Sequence, residues 1–284
     1  MIDVRASRLD PPHRSLWRVA PFALALGVIA AARVEAEETA EAAGKRLDFM
    51  KRSVGEYVVT PAEGEKPADL IAEPLLRWNN PVSNVPDGTI FLWKDARSQP
   101  VAIVQVFILG NTKDLWLHEF QSLTTSPLSV KQGTATTWNP RRGGITYKPL
   151  ADAPAPAETK TARLTQMRQI AKRFQFQDDF EGKSRWELRL MTTPLYRYGS
   201  DEGDVVDGAI FAYAHGTDPE GLLLLEARRS DKGGALEWHH ALAPMTGYAL
   251  TAKDRDQEVW SIGWRQPPYD LNEPFACIEY HPRP

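Results

Sequence analysis

Two helical stripes stand out in a chain whose hydrophobic pattern otherwise runs at a period near two. Ala43, Leu47, Met50 and Val54 share one helical face and predict a helix from about Glu38 to Ser53. Leu164, Met167, Ile170 and Phe174 predict a second helix from about Lys160 to Phe174. Lys51 and Arg52, like Lys172 and Arg173, sit near the C-terminal ends, where positive charge complements the helix dipole. After each helix come short β-branched and aromatic runs separated by polar or Gly/Pro breaks, the pattern of an antiparallel meander. In the first half these are Gly55–Val59, Pro74–Trp78, Thr89–Trp93, Val101–Ile108, Leu115–Leu123 and a strand near Thr134–Trp138. In the second they are Phe174–Gln177 or Trp186–Met191, then Pro194–Tyr198, Ala209–Ala214, Leu222–Ala227, Leu236–Leu242, Tyr248–Thr251 and Glu258–Trp264.

The second set repeats the first at a spacing of 120 residues. Between residues 70 and 93, nine positions are identical at that offset, among them Arg77/Arg197, Asp87/Asp207, Gly88/Gly208 and Phe91/Phe211. Leu47, Met50 and Val54 map onto Met167, Ile170 and Phe174 at the same offset, so the repeat takes in the helix. Further on, Leu117–Leu123 matches Leu236–Leu242 at 119, and Trp138 and Tyr147 match Trp260 and Tyr269 at 122. The expected fold is α+β, mainly antiparallel β, formed by tandem duplication of a helix-plus-antiparallel-sheet unit. The alternative is a single β-barrel-like body to which both repeats contribute strands. The expected organisation is a signal peptide over 1–36, one unit over 37–150, a Pro/Ala linker over 151–159 and the second unit over 160–284.

The N-terminus changes where the protein is expected to work. Arg5, Arg8, Arg14 and Arg18 precede an apolar run from Val19 to Ala32, followed by small residues around Ala36. That run is shorter than the roughly 20 apolar residues of a membrane span, so it reads as a cleaved export signal that leaves no membrane span. The expected location is periplasmic or extracellular. Cys277 is the sole cysteine, which rules out an intrachain disulfide and leaves stability to core burial. Residues 1–36 carry five Arg against three acidic residues, so the overall charge of −3 leaves −5 on the remainder. A mildly acidic chain of this kind argues against nucleic acid as a partner.

Candidate chemistry is sparse. The chain contains no GxSxG, no HExxH and no Gly-rich phosphate loop ahead of a helix. His118-Glu119 lies in one predicted strand and His239-His240 in its counterpart. Imidazole with carboxylate suits zinc or general acid–base work, so a metal-assisted hydrolase would use these four residues. Adjacent strand residues point to opposite faces, which stands against direct chelation by His118 and Glu119. At an offset of 119, His118 falls on Glu237 and Phe120 on His239, so the copies differ there. Arg77 and Arg197 either brace Asp87 and Asp207 or form an anion-binding pair. Asp87-Gly88 and Asp207-Gly208 carry a turn signature ahead of a strand. Asp178, Asp179 and Glu181 read as a solvated acidic turn, His215 as a turn residue and His281 as a tail residue. The many Trp residues read as core, with a few at a rim suited to stacking on sugars or peptides.

The runs Pro74–Trp78, Asp87–Trp93 and Leu115–Leu123 resemble uncharacterised exported proteins of planctomycete-type bacteria over roughly residues 70–130. The resemblance implies no activity, cofactor or site. The sequence is therefore read as an exported, non-catalytic binding or envelope-interaction protein, its partner a small molecule, a glycan or an envelope protein. The metal-assisted hydrolase and a purely structural scaffold are the alternatives.

Overall fold

The computed structural model describes residues 40–61, 65–110, 115–180, 182–230 and 234–280. The expected export signal, Glu181 and His281 lie outside them. Described residues are 49% strand and 12% helix, mostly antiparallel β with a curled half-barrel sheet. The chain divides into two compact units, Met1–Lys45 and Arg46–Pro284. In the first, residues 40–45 are helical, and Lys45 pairs with Glu41 one turn away at 2.5 Å.

The second unit holds both halves of the sequence pattern. Its helical residues 46–55 (α1) lead into β1 (Tyr57–Thr60), β2 (Asp69–Leu70), β3 (Leu76–Asn80), β4 (Val85–Lys94), β5 (Pro100–Ile108) and β6 (Trp116–Ser122). β7 (Ser129–Gln132), β8 (Ala135–Trp138) and β9 (Lys148–Pro149) follow. After α2 (Lys160–Ala171) come β10 (Phe174–Phe180), β11 (Ser184–Leu190), β12 (Tyr196–Tyr198), β13 (Val205–His215) and β14 (Asp218–Arg229). β15 (Leu236–Pro244), β16 (Leu250–Asp254), β17 (Gln257–Ile262) and β18 (Phe275–Tyr280) complete the order. Thr159 caps α2, its hydroxyl accepting from the Ala162 amide at 3.2 Å.

Two sheets pack face to face. One is six-stranded, ordered β18-β6-β5-β4-β2 with β3 also on β4; the other is nine-stranded, ordered β17-β16-β10-β11-β13-β14-β15-β9 with β12 also on β13. Ile90, Leu92, Ile103 and Phe107 of the first meet Ile210, Leu222, Leu224 and Ala241 of the second in a shared core. The outer face of the first sheet receives Met50 and Val54 of α1 together with the three-stranded sheet β1-β7-β8. The larger sheet curls around Met167, Ile170 and Ala171 of α2. The central strands are thus buried on both faces; β5 reads as a nearly unbroken apolar run, and β14 carries one in Leu222–Leu225.

Pairing registers recur at the 120-residue spacing. Leu76↔Ile90, Arg77↔Thr89 and Trp78↔Gly88 in one half return as Tyr196↔Ile210, Arg197↔Ala209 and Tyr198↔Gly208 in the other. The helices, however, correspond at 117. Arg46 Nε donates to Asp87 Oδ2 at 2.8 Å, and Arg163 Nε to Asp207 Oδ2 at 2.9 Å. Met50 therefore matches Met167, and the alignment of Met50 with Ile170 is corrected by one helical turn. In the sheets, Val106↔His118 corresponds to Leu225↔His240, so His240 occupies the position of His118. This corrects the alignment of His118 with Glu237. Tyr57 lies 5.6 Å from the His118 ring and Phe174 lies 5.4 Å from His240, as that equivalence requires. Each half also closes its edge with a strand from the far side of the other. β18 pairs with β6, and β9 pairs with β15.

Asp87-Gly88 and Asp207-Gly208 lie inside β4 and β13, not in turns. Glycine is required there by packing. A Cβ at Gly88 would lie 2.5 and 2.6 Å from Trp78 ring carbons, and one at Gly208 would meet Tyr198 at the same distances. Gly88→Ala and Gly208→Ala are each expected to lower stability by about 1–3 kcal/mol, the usual overpacking cost. Gly55→Ala, where nothing lies within 4 Å, is expected to be neutral or mildly stabilising. Urea unfolding midpoints of the three variants check this.

Candidate functional site

The functional residues expected from sequence are dispersed. His118, fully buried, faces α1: its Nδ1 is 3.0 Å from Tyr57 Oη, its Nε2 3.4 Å from Ser53 Oγ, and Tyr280 stacks on its ring at 4.6 Å. Burial drives its pKa down to about 3, so the ring is neutral. Glu119, the next strand residue, lines a cavity between the two sheets. His239 is half-buried beside Glu226 and Pro149, its pKa lowered by burial and then by Arg228. His240 lines a separate cavity of about 730 Å3. The four residues are not brought together, so the zinc or hydrolytic centre expected from them does not form. Arg77 and Arg197 do not make an anion site either. Arg77 grips Asp87 through Nε at 2.8 Å and Nη2 at 2.7 Å, and Arg197 grips Asp207 at 2.9 and 2.7 Å.

A different set of ionisable groups converges at one end of the inter-sheet layer. The β13–β14 hairpin turns through Gly216, whose φ of +63° favours glycine. Its tip is tied to the end of β3: Asn80 Nδ2 donates to the His215 carbonyl at 3.3 Å, and Thr217 Oγ1 donates to the Asn79 carbonyl. A break in register between Tyr213 and Ala214 leaves Glu220 unpaired with β13, while its carbonyl accepts from the Met245 amide at 2.7 Å. In step with Leu222 and Leu224 of the shared core, Asp218 and Glu220 line the cavity, opposite Gln105 and Glu119 from the first sheet. Gln105 Nε2 bridges the sheets by donating to Asp218 Oδ1 at 3.0 Å.

Behind Glu220 stand Asp178 of β10 and His215. Asp178 Oδ2 is 3.0 Å from His215 Nδ1, and the rings of Phe180 and Trp186 flank the imidazole at 4.9 and 5.0 Å. Asp178, His215 and Glu220 are all buried, and each offers a ligand atom within 4.8 Å of the others. Asp178 Oδ1, Glu220 Oε2 and Gln105 Oε1 are buried without a hydrogen-bond partner. Asp178 thus belongs to no solvated acidic turn, and His215 is no isolated turn residue.

Burial and mutual repulsion govern the charges. Desolvation pushes the Glu119 carboxyl up to about 8, against the opposing pull of the Arg265 guanidinium. Asp218 and Glu220 are raised well above the ordinary carboxylate range, by burial first and then by neighbouring carboxylates. Asp178 is raised by burial, with His215 opposing. Arg265 lies 4.0 Å over the Phe275 ring and is lowered to about 10 by its own burial.

The cavity above this floor has a volume of about 920 Å3. Its walls are largely apolar and aromatic, including Phe107, Leu117, Tyr248, Trp264 and Tyr269, with Arg265, Gln266 and Glu279 also lining it. Such a volume lies within the roughly 300–1,000 Å3 of small-molecule sites.

No family model, curated protein or solved structure matches the chain. Its chemistry therefore rests on this geometry.

His118 and Glu119 shape stability in opposite directions. With the folded His118 at about 3 and 6.5 as its ordinary value, its contribution is complete above pH 6.5 and lost as pH falls toward 3. Glu119, raised from 4.5 to about 8, favours the folded state most below pH 4.5, and that support is lost as pH rises through 8. Melting temperatures measured across this range are expected to fall less on the alkaline side in Glu119→Gln, while His118→Gln loses part of the acid-side fall.

Proposed function

We propose that this chain is an exported binding protein, built by duplication of a helix-plus-sheet unit. Its inter-sheet cavity takes a small amphipathic molecule with one positively charged head group. The cavity of about 920 Å3, with Glu119, Asp218 and Glu220 at its floor and aromatic and aliphatic walls, carries this reading. Carboxylates held in a desolvated floor are stabilised by a cation that completes their charge, and an ammonium or guanidinium group does so. The apolar walls suit a hydrocarbon or aromatic body of matching length. Recurring registers support the duplication, as Leu76↔Ile90 and Tyr196↔Ile210 exemplify. Export rests on the basic and apolar pattern from Arg5 to Ala36.

The reading is tested by calorimetric titration with octylammonium, octanol and octanoate. Octylammonium is expected to bind at least about tenfold more tightly than either of the others, a difference of about 1.4 kcal/mol. Glu119→Gln should weaken octylammonium by about tenfold or more, and Phe107→Ala should weaken it through lost wall contact. Equal binding of octanol and octylammonium, or octylammonium binding indifferent to Glu119→Gln, would overturn the proposal.

A further inference from the structure

We infer that Asp178, His215 and Glu220 form a binding site for a first-row divalent metal ion behind the floor of the inter-sheet cavity. This goes beyond the ligand reading and does not rest on it. The three ligand atoms come from three strand segments, yet lie within 4.8 Å of one another, the spacing of donors that share one ion. All three residues are buried: Asp178 is 1% exposed, His215 6% and Glu220 4%.

The second observation is the state of the oxygens. Asp178 Oδ1 and Glu220 Oε2 are enclosed and accept no hydrogen bond from the protein. A buried carboxylate oxygen left in that condition costs desolvation energy; Thr246 acts on Glu220, and His215 with the backbone of Phe180 and Trp186 on Asp178, yet burial outweighs them. The other oxygen of Asp178 lies 3.0 Å from His215 Nδ1, and Phe180, edge-on, and Trp186 pack against the ring.

The donor set selects the kind of metal. Calcium takes six to eight oxygen ligands and magnesium an octahedral shell of oxygens. Two carboxylates with an imidazole instead suit zinc, manganese or iron.

The test uses the full chain, stripped with chelator and titrated calorimetrically with ZnCl2, MnCl2 and CaCl2. One equivalent of Zn2+ is expected to bind and to raise the melting temperature, with Ca2+ at least tenfold weaker. Asp178→Asn and His215→Gln should each weaken Zn2+ by tenfold to a hundredfold or more. His240→Gln, at the other cavity, should leave it unchanged. Far-UV circular dichroism of the metal-free variants separates ligand loss from misfolding. Should either variant fail to fold, Glu220→Gln takes its place with the same expectation. Zn2+ binding that persists in the folded variants, or none at one equivalent in the parent chain, overturns the inference. Octylammonium binding retained by Asp178→Asn, beside lost Zn2+ binding, distinguishes failure of this site from failure of the cavity reading.

Discussion

The constraint on which the structure depends is that its two main sheets are covered on both faces. Each has a helix on one side and the other sheet on the other, so Ile103 and Leu224 lie in one layer while Val104 and Leu223 lie in two others. A strand in that position cannot alternate between core and solvent, and every polar side chain on it enters a region without bulk water. Most positions answer with Val, Ile, Leu or Phe. Among the buried polar exceptions, Gln105, Glu119, Asp218 and Glu220 are driven against one another at one end of the layer. The acidic floor is therefore a consequence of the architecture as much as an addition to it.

The same constraint explains the paired braces. Asp87 and Asp207 lie in central strands, 3% and 2% exposed. An ionised carboxylate at such depth is tolerable only with its oxygens saturated. Arg77 and Arg46 saturate one, Arg197 and Arg163 the other. One partner of each pair comes from the neighbouring strand and one from the helix, so each ion triad also fixes where its helix docks. The rings of Trp78 and Tyr198 lie against the glycines beside these aspartates, and bring β3 and β12 close to the sheet. Arg77 and Arg197 are thereby committed to holding the fold together and are unavailable to a ligand.

Much of this was legible in the sequence, and the failures have physical causes. The helices, the meander and the recurrence of Arg77 and Asp87 at Arg197 and Asp207 follow from period and identity. The turn reading of Asp-Gly failed because glycine answers a second demand, close approach of a ring, that its chemistry does not distinguish from positive φ. The helix offset failed because two apolar stripes one turn apart look alike, and only the partner of Arg163 separates them. The strand expected over Leu222–Ala227 runs from Asp218 to Arg229. Asp218 and Glu220 carry turn-like composition, yet they extend a strand whose hairpin is anchored by Asn79 and Asn80, far away in sequence. Asp178 and His215 are 37 residues apart and on different strands, so no local spacing joins them. The one available signal is an Asp-x-Glu pair separated from four leucines by a single glycine, Gly221.

The comparison of halves also locates the chemistry. Along the corresponding registers, Asp218 and Glu220 stand where the first half has Gln99 and Val101, while Gln105 and Glu119 stand where the second has Leu224 and Ala241. Neither half carries the whole cluster: Asp218 and Glu220 come from one, Gln105 and Glu119 from the other. A site drawn from both inner faces can form at only one end of the layer, because the pseudo-equivalent end pairs the neutral versions. The repeated residues brace the sheets, and the unrepeated ones meet. His118 and His240, once matched correctly, belong to the first class: both sit beneath an aromatic ring that follows the helix, Tyr57 and Phe174. Their imidazoles occupy equivalent packing positions, which explains why a histidine recurs there.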